Sequence, residues 1–221
     1  MRGRSTPITL TTASERDIPV AKPSFIYLAS QSPRRRQLLA QLGVPCELLL
    51  PDASEDAEAL EQVRAGESPR HYVLRVTELK LDAALRRLAA RGLPPAPVLC
   101  ADTTVALGRD ILGKPETAAH ARAMLAQLSG QAHRVLTAVS VGTPKRRAQA
   151  LSQSTVRFDA WTPAQIRRYV ASGEPMGKAG AYAIQGRASA YIADMRGSYS
   201  GIMGLPLFET AHLLRQFGFD I

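Results

Sequence analysis

From residue 25 to the C-terminus, short apolar runs alternate with amphipathic stretches. Phe25-Ile-Tyr-Leu-Ala-Ser30 is rich in strand formers, and Ser32-Pro33 puts a capping residue and a proline where a helix begins. The helix predicted there continues from Arg34 to Leu42 and stops at Gly43, so its first amides face the loop leaving the strand. Cys46 to Leu50 reads as a second strand, and Pro51 to Glu58 as an acidic loop. Ser68-Pro69 repeats the start signal, and Val73, Val76, Leu79, Ala83 and Leu88 trace an apolar stripe up to Gly92. Pro97 to Asp102 is an apolar run ending on a carboxylate, which predicts a buried strand with Asp102 at its C-terminal end.

Beyond it, the flanks of Gly108-Arg-Asp110 predict a hairpin, and Thr117 caps a helix over Ala118 to Leu128, closed by Ser129-Gly130. His133 to Gly142 and Leu151 to Phe158 read as strands around the basic turn Lys145-Arg-Arg147. Thr162-Pro-Ala-Gln165 is a capping box for a helix ending near Gly173, and Pro206 to Phe217 is the last helix. Strands and helices interleave without a repeat, which predicts a mixed α/β fold. No linker interrupts residues 25–221, so they form one folded unit. Residues 1–24 have no sustained period and read as a flexible N-terminal extension.

Composition narrows the class. Of 221 residues, 45% are hydrophobic and 21% charged, which excludes a wholly disordered chain. No apolar run approaches the ~20 residues of a membrane-spanning helix. The first residues lack an apolar signal core and carry Glu15 and Asp17. Cys46 and Cys100 lie far apart in apolar runs and read as buried thiols of a reducing compartment, so the cytoplasm is expected. The 28 basic against 19 acidic residues, net +9, favour anionic partners. Aromatics at 5% speak against a single-strand nucleic-acid binder, which needs stacking platforms. Neither nucleic acid nor membrane is the expected partner; a homodimer is compatible with the sequence.

Two motif-like segments fail on inspection. Gly108 to Lys114 approaches the phosphate loop G-x-x-x-x-G-K-[ST], but Pro115 supplies neither the hydroxyl nor the amide its last position needs. Gly197-Ser-Tyr-Ser-Gly201 has Tyr199 where a nucleophile elbow requires serine. His71, His120, His133 and His212 show no metal spacing.

Three segments retain chemistry. Ser30-Gln-Ser-Pro-Arg-Arg-Arg36 joins a strand to a helix N-terminus, where amides, the helix dipole and arginines attract an anion. Ala101-Asp-Thr-Thr104 offers a carboxylate after a buried run. Lys178-Ala-Gly-Ala-Tyr-Ala-Ile-Gln-Gly186 combines small residues with Gln185, a donor and acceptor at once; by itself this last segment reads as a glycine-bounded strand.

In this order, with LASQSPRRRQLLAQLG from Leu28, ADTTV from Ala101, LGKP from Leu112, LSGQAH from Leu128, YVASGEPMGKAGAYAIQG from Tyr169 and GSYSGIMGLPLFET from Gly197, the chain resembles the Maf family of nucleoside-triphosphate pyrophosphatases over residues 25–218. The resemblance implies an elongated mixed β-sheet flanked by helices, with two lobes and a central cleft, as in Maf and ITPase-like folds. It implies hydrolysis between the α and β phosphates, in nucleotide-pool sanitation with a link to cell-division arrest, and a divalent metal, Mg²⁺ or Mn²⁺. Asp102 is then the proton acceptor and, with Glu55, a metal ligand; Ser32, Arg35, Lys80, Lys114 and Lys178 bind phosphate. Arg34, Thr103 and Gln185 match the family's dTTP/UTP type, and the alternative is a basic nucleic-acid or partner-binding relative with little catalysis. One departure stands out: Gly177 occupies the place before Lys-Ala-Gly where the family commonly has Asp.

Overall fold

A computed structural model describes residues 23–52, 55–56 and 59–221. The extension read over residues 1–24 lies outside them except for its last two positions. In chain order the elements are β1 (Ile26–Leu28), α1 (Pro33–Ala40), β2 (Cys46–Leu48), α2 (Pro69–Ala90), β3 (Val98–Leu107), β4 (Asp110–Leu112), α3 (Ala118–Leu128), β5 (Ala132–Gly142), β6 (Arg147–Phe158), α4 (Pro163–Ala171), β7 (Ile192–Arg196), α5 (Tyr199–Met203) and α6 (Leu207–Gln216). They build a seven-stranded mixed sheet of order β2-β1-β3-β5-β6-β7, with β4 also paired to β3.

The arrangement turns on β3. One of its edges is paired along its length with β5, from Val98 opposite Gly142 to Ala106 opposite Arg134. The other edge is divided: β1 runs parallel to it at Val98 and Leu99, and β4 runs antiparallel to it from Val105 to Leu107. Between these ladders, on this edge, Cys100 to Thr104 have no strand beside them among the described residues, and the sheet opens. Ala29 N–H donates to Leu99 C=O at 2.9 Å. By the alternation of ladder bonds, the main chains of Ala101 and Thr103 turn toward the same side, into the gap.

Side-chain alternation divides β3 a second time. Val98 and Cys100 pack with Leu81, Ala84, Leu85 and Leu88 of α2, whereas Leu99 and Ala101 pack with Leu38, Leu39 and Leu214 on the opposite face. Past the gap, Val105 joins a separate core with α3, α4 and the aromatic group Phe158, Trp161 and Tyr182. Apolar cores on either side of the gap make the two lobes. Cys100 is fully buried, and burial pushes its thiol up to about 12, so it stays a neutral packing group; Cys46 is half-buried and also unpaired.

Three local expectations change. Asp102 is in mid-strand, because Thr103 to Ala106 continue the pairing with β5 and Val105 to Leu107 pair with β4. The stripe on α2 is rotated: Leu81, Ala84 and Leu85 are buried, while Leu79 and Ala83 are half-buried at its margin. Lys178 to Gly186 forms no strand; it contains the 3-10 turn Ala179–Ala181. There Gly180 (φ 67°) and Ala181 (φ 61°) are left-handed in succession, and a Cβ on Gly180 would meet Val105 at 2.8 Å. Ser68, Thr117 and Thr162 cap their helices as expected, the last in a complete capping box, but Ser32 makes no side-chain cap bond.

Candidate active site

A cleft of about 510 Å³ lies over the gap in β3, lined by residues of α1, α2, β3, the segment after β4, the Lys178–Gln185 loop and α5. Asp102 and Thr103 stand in its floor on opposite faces of the strand.

On the α2 face the groups are ionic. Lys80 Nζ donates to Asp102 Oδ1 at 2.5 Å and to Glu61 Oε1 at 2.7 Å, and Lys114 Nζ donates to Glu61 Oε2 at 2.8 Å. Burial alone lowers the Lys80 pKa, but Asp102 and Glu61 outweigh it and the ammonium is held above its ordinary value. Burial likewise raises Glu61, yet the two lysines bring its carboxyl below the usual range. Asp102 Oδ2 has no hydrogen bond among the described residues, although the residue is only 7% exposed. Lys114 follows β4, and Gly113 C=O accepts from Gly180 N–H at 3.0 Å, which fastens this segment to the opposite loop.

On the other face the groups are neutral or cationic. Arg35 Nε donates to Gly204 C=O at 2.8 Å, and its terminal nitrogens donate to Ser30 Oγ and Thr103 Oγ1, each at 3.3 Å. Arg35 therefore ties α1 to β3 and to the turn before α6. Thr103 Oγ1 lies 3.0 Å from Thr137 Oγ1, and Thr137 donates to Gly201 C=O at 2.6 Å. Arg34 and Lys178 also line the cleft and make no ion pair among the described residues. Burial lowers the pKa of both, and for Lys178 the nearby Arg34 charge lowers it further. The two are neighbouring cations, and the Glu174 carboxylate offsets part of the depression at Lys178. Ser32 lines the same wall, its hydroxyl unused by the helix cap.

Gln185 is exposed on the cleft wall. The turn that carries it is held by Glu174, which accepts from Tyr169 Oη at 2.9 Å and from Arg187 N–H at 3.1 Å. A Cβ on Gly186 would meet Glu174 Oε1 at 2.1 Å, so a side chain there would push that carboxylate out of its bonds. Behind the loop, His133 Nε2 lies 2.8 Å from Tyr182 Oη, and burial depresses the imidazole to about 4. Gly177 has φ 70°, a left-handed conformation that Asp also tolerates, so the backbone path there does not require the family's usual side chain.

The structure brings together all the expected site residues except Glu55. That carboxylate forks onto Arg87, with Oε1 at 2.7 Å from Nε and Oε2 at 2.6 Å from Nη2, and the guanidinium pulls it down to about 2. Arg87 also donates to Leu49 C=O at 2.9 Å, so the pair secures the loop to α2 and Glu55 lines a different groove. The carboxylate beside Asp102 is Glu61, from the 3-10 turn Ala59–Glu61. Tyr72 Oη donates to Glu61 C=O at 2.8 Å and Arg75 to Gln62 C=O at 2.9 Å, anchoring that turn on α2. Among the described residues no cluster of three or more His, Cys, Asp or Glu could hold a metal. Asp102 and Glu61 nevertheless already share one cation, and two carboxylates completed by water and phosphate oxygens are a donor set that suits Mg²⁺ or Mn²⁺.

Residues 25–217 match the family described as "Maf-like protein". A dTTP/UTP pyrophosphatase of Albidiferax ferrireducens is 68% identical over 197 residues, covering 89% of this chain and 98% of that one. A dTTP/UTP pyrophosphatase of Cupriavidus metallidurans is 66% identical over 195 residues, covering 88% and 98%. The Staphylococcus aureus Ham1 protein is a remote structural likeness, with a TM-score of 0.38 and 13% identity over 60% of this chain and 71% of its own.

Proposed function

The chain belongs to the Maf family, and we propose that its cleft hydrolyses dTTP and UTP to the monophosphate and pyrophosphate. The observation that carries this reading is Asp102, a carboxylate with one oxygen held by Lys80 and the other unpaired, facing a cleft ringed by cations. A triphosphate brings several negative charges, and Lys80, Lys114, Arg34 and Lys178 supply the compensation. Asp102 Oδ2 is the acceptor for a proton leaving the attacking water. Lys114 neutralises charge on the departing pyrophosphate, and Arg35 keeps the helix N-terminus with Ser32 against the strand. Asp102 and Glu61 would hold the divalent cation used by nucleotide pyrophosphatases of this family, which polarises phosphate oxygens when bound. Thr103 and Gln185 read the base. The free nucleotide pool of the cytoplasm is the setting this chemistry requires; among the described residues no helix is long and apolar enough to cross a membrane.

The experiment is to incubate the purified chain with UTP or dTTP and Mg²⁺ or Mn²⁺ and identify products by phosphorus NMR. The expected products are pyrophosphate and the monophosphate in equal amounts. Orthophosphate with the diphosphate, or no turnover of any nucleoside triphosphate, would overturn the reading.

A further inference from the structure

The hydroxyls of Thr103 and Thr137 form a chain whose direction is fixed by counting protons. Thr137 has one proton, and the main-chain Gly201 C=O, 2.6 Å away, can only accept, so that proton is committed to it. Across the 3.0 Å contact between the hydroxyls, Thr103 must therefore donate and Thr137 accept. Arg35 Nη2 donates into Thr103 Oγ1 from the other side at 3.3 Å. Thr103 thus has its proton spent and one lone pair taken, and it offers the cleft a single remaining lone pair. Thr137 is 1% exposed and does not line the cleft, so it acts only through Thr103.

We propose that Thr137 is a positioning residue for base selection: by holding the proton of Thr103 it makes that hydroxyl an acceptor only, matched to the imide N–H shared by uracil and thymine. Cytosine presents a ring-nitrogen lone pair at the corresponding position, and two acceptors facing each other in a half-buried cleft repel and leave both groups unpaired. The inference rests on the reading of Thr103 as a base contact, and it adds why a hydroxyl there discriminates when a freely rotating one would serve either pyrimidine.

The test is the ratio of kcat/KM for UTP to that for CTP in the wild type, Thr137→Val, Thr137→Ser and Thr103→Val, with the Kd ratio of UMP to CMP measured alongside because it needs no turnover. Thr137→Val should lower the UTP:CTP preference about tenfold, mainly through a higher KM for UTP and a lower one for CTP. Thr137→Ser, which keeps the hydroxyl, should restore it. A purely structural loss would weaken both nucleotides together and leave the ratio where it was, and that result overturns the proposal. An unchanged ratio in Thr103→Val overturns it as well, at the level of the base contact, whereas the pyrophosphatase reading itself is judged by the products the wild type forms. Should Thr137→Val fail to fold, Thr137→Cys, a weaker donor of similar volume, carries the same comparison.

Discussion

Asp102 and Thr103 are adjacent in sequence, yet they work in opposite electrical surroundings. Asp102 points to α2 and shares a lysine with Glu61, so every charge around it is answered by another. Thr103 points to α1 and α5 and joins a hydroxyl chain ending on a main-chain carbonyl, with Arg35 its only charged hydrogen-bond partner among the described residues. The alternation of a single strand separates the two kinds of chemistry by the thickness of the sheet. Phosphate chemistry needs strong local fields that stabilise any anion, whereas base recognition needs directional bonds that such fields would blur. On the proposed reading, placing them on opposite faces of one strand at a break in its ladder would let the same short segment do both.

The largest expected effect breaks the ionic face alone. Asp102→Asn should lower kcat by about 10²–10⁴-fold while keeping the UTP:CTP ratio of its residual activity, since the acceptor is lost and the hydroxyl chain is not. Steady-state kinetics on both nucleotides checks this; normal kcat, or a collapsed ratio, would show that the faces are not separate. Glu61→Gln and Glu55→Gln come next as a pair. The first should weaken Mn²⁺ binding, read by electron paramagnetic resonance, by about tenfold or more and depress turnover with it. The second should leave both intact and instead lower the melting temperature, because Arg87, 8% exposed, loses its fork. The opposite pattern would return the metal to Glu55.

On the recognition face, Gln185→Ala should narrow the preference for UTP over GTP from well over tenfold to a few fold, chiefly through loss of the pyrimidine. A preserved gap in competition assays would remove Gln185 from base reading. The smallest effect is on stability. The His133 imidazole is depressed to about 4 in the fold against an ordinary 6.5, so the unfolded chain takes up the proton first as pH falls. Stability supplied by the neutral ring is complete above 6.5 and is lost between 6.5 and 4, on the order of 3 kcal/mol in all. Glu55, at about 2, keeps its contribution down to roughly 4.5 and loses it below. Acid should therefore loosen the recognition side before the Glu55–Arg87 fork. Chemical denaturation at pH 7, 5 and 4 should show a declining midpoint that His133→Gln flattens.

Legibility in the sequence followed the range of the interactions. Helix starts at Ser68, Thr117 and Thr162 were readable because a cap is settled within three residues. Arg34, Lys80, Asp102, Thr103, Lys114 and Gln185 were readable because the motifs carry them, and the fold gathers them in one cleft. Glu61 was not. Among several acids of one loop, the choice is made by Lys80 and Arg87, which lie 19 and 32 residues from their partners. No local spacing encodes which carboxylate meets which cation. The Lys178–Gly186 turn was misread for a related reason: its left-handed pair begins at Gly180, whose backbone lies against Val105 so closely that a Cβ would clash, a contact between distant segments.

The opening in β3 has a further cost and remedy. Ala101 and Thr103 present main-chain donors and acceptors to a gap between two ladders, the kind of bare edge on which an extended segment of another molecule can form a rung. On the proposed reading, a nucleotide would cover that edge only while bound. Without it, Arg34 and Lys178, which make no ion pair among the described residues, set positive charge at the rim of that edge, and every copy of the chain carries a net +9 of its own. Like-charged molecules keep their distance. The basic surplus, which on composition alone invites a search for nucleic acid, thus also works as a dispersant, and salt that screens it should be what first lets idle enzyme cluster through its own empty groove.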